Sequence, residues 1–335
     1  MNQGWTYRDR ISNRHAHCTL VDYYTQHYPH STADQWRQRI VAQQILVDGQ
    51  PALPQTQLQP GQQLTYQRPP WQEPSAPLDL PILHEDADLL VVNKPSGLPV
   101  LPGANFLEHT LLWQVRQRQP SAYPIHRLGR GTSGVMLLAK TQAARCHLSQ
   151  QMRQHHIDKR YWAIVSNGMG DAQIPDTFTT DQPIGKCPHP LLGYVYGAAA
   201  TGLTAHSAGQ VLQRWEDKAL IEVAIATGRP HQIRIHLAAL GHPLLGDPLY
   251  PKGGKPNPDA VPGDCGYWLH AYQLRFTHPT TGTPVEIRQR PSWSGELGPE
   301  ATTPTAALAP PELASAAAVS KTRPTALRSA AAQFP

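Results

Sequence analysis

The chain has 335 residues, 29 Lys and Arg against 24 Asp and Glu for a net charge of +5, and 40% hydrophobic residues, enough for one large core and a small second one. It has no apolar run near the roughly 18 residues that a spanning helix needs and no charged-then-apolar leader, so the reading is a cytoplasmic protein, and its length together with a proline-rich linker points to a monomer. Cys18, Cys146, Cys187 and Cys265 form no CxxC pair, and most of the 17 histidines stand singly, so neither a disulfide framework nor a metal site is expected.

Residues 1–17 are polar and aromatic without clear periodicity, and the alternatives there are packing against a later element or a loose segment. From Thr19 to His27 the pattern is that of a short helix. A helix-start pairing of Ser31 with Asp34 leads into a second one through Trp36, Ile40 and Val41. Ile45–Val47, the Asp48-Gly49 turn and Leu64–Tyr66 read as small strands. Arg37 and Arg39 are candidates for phosphate contact, or simply part of a solvated face.

Arg68-Pro-Pro-Trp-Gln-Glu-Pro-Ser-Ala-Pro77 lacks apolar periodicity and reads as a semi-rigid linker. The predicted layout is a small module over 1–67, a linker over 68–78, a large domain over 79–294 and a disordered tail over 295–335. In that tail Glu296, Glu300 and Glu312 balance Lys321, Arg323 and Arg328, so the excess positive charge belongs to the folded part.

Within the large domain, Leu89–Val92 is a strand that ends in a Lys-Pro-x-Gly turn at Gly97. His126-Arg-Leu-Gly-Arg-Gly-Thr-Ser-Gly134 packs three cationic or titratable groups and three glycines into nine residues, and the apolar run Val135–Ala139 anchors it on a strand. Ala144, Leu148 and Met152 recur every four residues, as in a helix with one buried stripe. Lys159–Val165 alternates, with Tyr161, Ala163 and Val165 on one side and Arg160, Trp162 and Ile164 on the other. Asp171 to Thr204 reads as long loops with short strands, and Leu220–Ala226 as a strand. Ile233, Leu237 and Leu240 then fall on one helical face, His231 and Arg234 toward the other, and Gly241 stands where the helix would end. Trp268–Pro279 and Val285–Ile287 form a predicted hairpin.

His126-Arg-Leu-x-Arg-x-Thr-Ser-Gly134 resembles the signature of the RluA-type RNA pseudouridine synthases. Lys159-x-Tyr-x-Ala163, Thr227–Tyr250 and the closing hairpin resemble further motifs of that family. The resemblance implies an α+β fold with a mixed, mainly antiparallel sheet and a central cleft, preceded by an S4-like RNA-binding module of two helices and a small sheet. It also implies a structured RNA substrate, ribosomal or transfer, and no cofactor. By motif position Tyr161 is the tyrosine that stacks on the base, and Arg234 is the arginine that pairs with the catalytic aspartate. The nucleotide would be held by His126, Arg127, Leu128, Arg130, Thr132, Arg229 and His231.

The position of the aspartate itself holds Gly129, which can neither attack carbon nor accept a proton. Two readings follow: a synthase with a relocated acid or a variant mechanism, or a catalytically inactive RNA-binding paralogue on the same scaffold. If Arg234 is buried as the resemblance implies, it needs an anionic partner, and Asp86, Asp88, Asp158, Asp247 or a bound anion are the candidates.

Overall fold

The computed structural model describes residues 1–28, 30–167 and 173–293, and the chain divides into two compact units at Glu73/Pro74. The predicted tail therefore lies outside the described residues.

The first unit contains β1 (Trp5–Arg10), α1 (Leu20–His27), α2 (Ala33–Val41), β2 (Ile45–Val47), β3 (Gln50–Pro51) and β4 (Gln63–Arg68), with its antiparallel strands ordered β1-β4-β2-β3. Leu20, Tyr24, Trp36, Ile40, Ile45 and Leu64 form its core. Of the two alternatives for residues 1–17 the structure shows packing against a later element, here as a strand: β1 pairs along β4 from Trp5 opposite Arg68 to Arg10 opposite Gln63. It is an edge strand whose side chains alternate between half-buried and exposed, so its apolar signal is thin.

Helix α2 begins one residue later than the Ser31/Asp34 pairing predicts. Thr32 is the N-cap: its Oγ1 accepts from the Gln35 amide at 3.3 Å, and Gln35 Oε1 accepts from the Thr32 amide at 2.9 Å. Ser31 is buried instead and accepts from Arg39 Nη1 at 2.9 Å. Val41 lies off the Trp36–Ile40 stripe and is 69% exposed, not internal. Arg39 also stacks over Trp36 at 4.3 Å, so of the two candidate phosphate contacts this one is committed to packing.

The second unit contains β5 (Ile82–Glu85), β6 (Leu89–Lys94), α3 (Leu111–Arg116), β7 (Tyr123–Pro124), β8 (Ser133–Ala139), α4 (Gln142–Arg153) and β9 (Asp158–Ser166). It continues with β10 (Thr177–Thr180), β11 (Ile184–His189), β12 (Gly193–Ala198), β13 (Ser207–Arg214), β14 (Lys218–Ile225), α5 (Gln232–Ala239), β15 (Leu269–Thr277) and β16 (Pro284–Arg288). Ten strands form one sheet in the order β10-β13-β14-β9-β15-β8-β6-β5, with β7 beside β8 and β16 beside β15. Every pair is antiparallel except β8 with β15, and β11 and β12 form a separate hairpin. The fold is thus α+β on a mixed, mainly antiparallel sheet.

The alternation read in β9 is the alternation observed. Tyr161, Ala163 and Val165 enter the main core with Leu90, Met136, Ile221 and Ile233, while Trp162 and Ile164 pack on the reverse face with Leu220 and Tyr272. Also on the reverse face, Trp162 stacks on Tyr272 at 4.4 Å. Buried Glu222 accepts from Arg160 Nη1 at 2.9 Å. Helix α4 buries Ala144 and Leu148 as its periodicity predicts.

Helix α5 differs from a one-faced helix. Every residue from Gln232 to Ala238 is buried, Leu240 caps the end at 38% exposure, and Gly241 closes it with φ +91°. Enclosure on all sides obliges its polar members, Gln232, Arg234 and His236, to find partners.

Candidate active site

The His126–Gly134 loop is clamped at three places. At its start, His126 Nε2 accepts from the Leu137 amide at 3.1 Å, and burial lowers its pKa to about 4, so the ring is neutral with its proton on Nδ1. In its middle, the completely buried Lys94 donates to the carbonyls of Pro95 (2.8 Å), Leu98 (2.7 Å) and Arg130 (3.2 Å). Burial brings Lys94 down to about 7, while the three carbonyls offer an acceptor for each proton of its ammonium. Gly97 N also donates to Arg130 O at 2.8 Å and Ser96 Oγ to Gly131 O at 2.7 Å, so the whole Lys94-Pro-Ser-Gly97 turn holds the loop. At its end, Gly134 has φ +112°, and a Cβ there would lie 2.3 Å from Ala271 O. Only glycine permits the parallel pairing of Ser133 and Gly134 with His270 and Ala271.

The position that carries the family's aspartate faces a tyrosine. A Cβ on Gly129 would lie 2.9 Å from Tyr267 Oη and 3.3 Å from Thr132 Oγ1, and one on Gly131 would lie 2.9 Å from Tyr267 Cε1 and Cζ. Two glycines therefore make room for a single phenol ring. Tyr267 is 5% exposed, its oxygen lies 3.3 Å from Thr132 Oγ1, and burial raises its pKa, which keeps it protonated at neutral pH.

Over the same ring, at 4.1 Å, sits the guanidinium carbon of Arg234. Arg234 donates through Nε and Nη2 to the two oxygens of Asp247, both at 2.7 Å, with side-chain exposures of 3% and 0%. Burial works against that charge, but the Asp247 carboxylate outweighs it and raises the arginine pKa. Asp247 is thus the partner among the four acids weighed. Asp86 is held by His84 and His278, Asp88 by Thr141 and Thr280, and Asp158 by Arg160. Asp247 Oδ1 also accepts from Leu249 N at 2.9 Å and Tyr250 N at 3.1 Å, so this carboxylate is fully engaged in holding its turn. Arg234 Nη1 is buried with no hydrogen-bond partner among the described residues.

The other expected residues divide between scaffold and open positions. Leu128 and Thr132 are buried. Arg130 stacks over Phe106 at 5.0 Å, its Nε buried and unpaired among the described residues. His231 takes φ +56° as the N-cap of α5 and donates from Nδ1 to Tyr250 Oη at 2.6 Å, while Tyr250 donates to Tyr196 O at 2.6 Å. Burial lowers His231 to about 4. Arg229 is fastened through Nε to Thr204 O at 2.9 Å, and its amide donates to Gln232 Oε1 at 3.0 Å. Arg127 is exposed and makes no side-chain hydrogen bond or ion pair among the described residues. Tyr161 shares the main core with Leu128 and Tyr267, and its hydroxyl has no hydrogen-bond partner among the described residues. Burial alone pushes its pKa up.

Loop and helix thus meet through Tyr267, which contacts Gly129 on one side and Arg234 on the other; Arg127 stays outside these contacts. Sequence reading missed Tyr267 and Lys94. The signal for the first was the glycine pair bracketing Arg130, and for the second a lysine closing an apolar strand. Among the described residues no cluster of His, Cys, Asp or Glu has the arrangement of a metal site.

Comparison with known proteins gives these features a family. Residues 88–239 match the model of the RNA pseudouridylate synthase family. The chain is 47% identical to an uncharacterized RNA pseudouridine synthase of Synechocystis sp., over 85% of this chain and 96% of the other. It is 38% identical to RNA pseudouridine synthase 5 of Arabidopsis thaliana, over 82% of this chain and 89% of the other. The solved structure of human RNA pseudouridylate synthase domain containing 1 superposes with a TM-score of 0.51 at 25% identity, covering 68% of this chain and 89% of that one. By sequence over most of its length and by fold, the chain belongs to the RluA-type family of RNA pseudouridine synthases.

Proposed function

We propose that the protein converts specific uridines of a structured ribosomal or transfer RNA to pseudouridine. The observation that carries this reading is the convergence of the clamped loop, Tyr267 and the buried Arg234–Asp247 pair around the Gly129 position. Isomerisation requires the uridine to leave the helical stack, at a cost of about a few kcal/mol. Arg127, exposed and unpaired, is suited to recover part of that cost at a phosphate. Tyr161, with an apolar setting and an unengaged hydroxyl, is suited to stack on the base. The first unit, two helices on a small antiparallel sheet, supports the reading of an S4-like module that adds RNA contacts of its own.

One observation favours a second reading, an RNA-binding protein without catalysis: Gly129 carries no acid and Asp247 is saturated by four hydrogen bonds. Incubating the full chain with ribosomal and transfer RNA transcripts, then mapping pseudouridine, separates the two. Pseudouridine at a defined position supports the synthase; binding with no product on either RNA selects the second reading.

A further inference from the structure

We propose that Tyr267 is a catalytic residue of this chain, its phenol hydroxyl acting on the ribose of the flipped uridine from the place where the family keeps a carboxylate. The inference rests on the synthase reading above. Three observations carry it. First, Tyr267 Oη stands 2.9 Å from where the first side-chain atom at Gly129 would be, so the phenol oxygen occupies the room a side chain there would need. Second, the absence of a Cβ at both Gly129 and Gly131 is what admits the ring, so loop and tyrosine are matched to one another. Third, Arg234 lies 4.1 Å from the ring centre, and Thr132 Oγ1 lies 3.3 Å from the oxygen, which favours negative charge developing on that oxygen during reaction.

The chemistry balances with this one group. The phenol oxygen bonds to C1′, the C1′–N1 bond breaks with its electron pair passing to the base, and the phenol proton moves to N1. The freed uracil turns in place. Its C5 then bonds to C1′, and the C1′–O bond breaks with its pair returning to the oxygen. The resulting phenolate takes the proton from C5. One glycosidic bond has been exchanged for another, one proton has moved from C5 to N1, and the phenol is restored. A carboxylate would enter such a cycle deprotonated, whereas a phenol enters protonated, the form that burial of Tyr267 favours.

The test uses the full chain, uridine-containing ribosomal and transfer RNA transcripts and single-turnover pseudouridine formation. Tyr267→Phe deletes one oxygen, and Gly129→Asp/Tyr267→Phe returns a carboxylate to the emptied space. The expected result is a rate loss of about 100-fold or more in Tyr267→Phe with RNA affinity kept within about twofold, and recovery of at least about tenfold in the double variant. An active wild type whose Tyr267→Phe form works within about threefold of it overturns the role of Tyr267 while leaving the synthase reading standing. A wild type inactive on every RNA overturns both. Should Tyr267→Phe fail to fold, 3-fluorotyrosine at position 267 keeps the shape and makes the phenol more acidic. A pH–rate profile shifted to lower pH then supports the proposal, and an unchanged profile overturns it.

Discussion

Asp247→Asn places the sharpest stress on the site. The wild-type carboxylate receives Arg234 Nε and Nη2 at 2.7 Å each and the amides of Leu249 and Tyr250 at 2.9 and 3.1 Å. An asparagine can keep one oxygen over the two amides, but its NH2 then faces an N–H of Arg234, and the guanidinium loses its counter-charge at 3% exposure. Removing one partner of a buried pair costs about 3–5 kcal/mol, because the remaining charge stays desolvated. For a unit of this size, where each kcal/mol moves Tm by about 2–4 °C, the expected fall is roughly 6–20 °C. The exposed Arg37–Asp34 pair, with side-chain exposures of 54% and 82%, is the internal control: Asp34→Asn should cost less than about 0.5 kcal/mol. Calorimetry of both variants, completed by Arg234→Met and the Arg234→Met/Asp247→Asn double variant, measures the coupling. A fall below about 2 °C in Asp247→Asn, or a double variant no more stable than Asp247→Asn alone, would refute the reasoning.

Lys94→Met strips the Pro95 and Leu98 carbonyls of their donor, leaves Arg130 O with the Gly97 amide alone, and should destabilise by about 2 kcal/mol or more, with Arg130 and Gly131 amide exchange rising beyond the global change; equal protection in both proteins would count against a clamp. Gly134→Ala forces a left-handed residue against Ala271 O at 2.3 Å and should cost at least about 3 kcal/mol, read from urea midpoints, so a midpoint unchanged from wild type contradicts the parallel β8/β15 register. Acid should also unfold the protein. His236 and His270, 1% and 2% exposed, have pKa values lowered by burial to about 4 against 6.5 unfolded, so the unfolded chain binds the extra protons. Stability is full above pH 6.5 and declines as pH falls toward 4, by roughly 2 kcal/mol per histidine at pH 5. Urea midpoints at pH 7 and 5 check the slope, and His270→Gln should flatten it.

Much of the architecture was legible because it is locally encoded. The Lys159–Val165 alternation, the Ala144/Leu148 spacing and Gly241 behind α5 each state their element without help from distant residues. Motif spacing likewise brought Gly129 and Arg234 into one region. What stayed hidden depends on who meets whom. Nothing near Tyr267 announces it as the occupant of the Gly129 space, because the two are 138 positions apart and are brought together only by the parallel register of Gly134 with Ala271. Full burial of α5 was hidden for the same reason: its polar residues look solvent-facing until their partners, Ser207, Gln182 and Asp247, are known. Thr32 in place of Ser31 as the cap is a smaller case, decided by Gln35 reaching back where Asp34 does not.

The parallel pairing of β8 with β15 also bears on how the molecule is made. A nascent chain emerging at about 5–20 residues per second has synthesised the glycine-lined loop for several seconds before β15 leaves the ribosome. Until then the Gly129–Gly131 segment has neither its tyrosine wall nor the strand that fixes its end, and strands β8 and β9 each present an unmatched hydrogen-bonding edge. Assembly of the centre is therefore a late, long-range event, and truncations that remove β15 and β16 should yield chaperone-bound or insoluble protein even though every motif that identifies the family except the closing hairpin is already present.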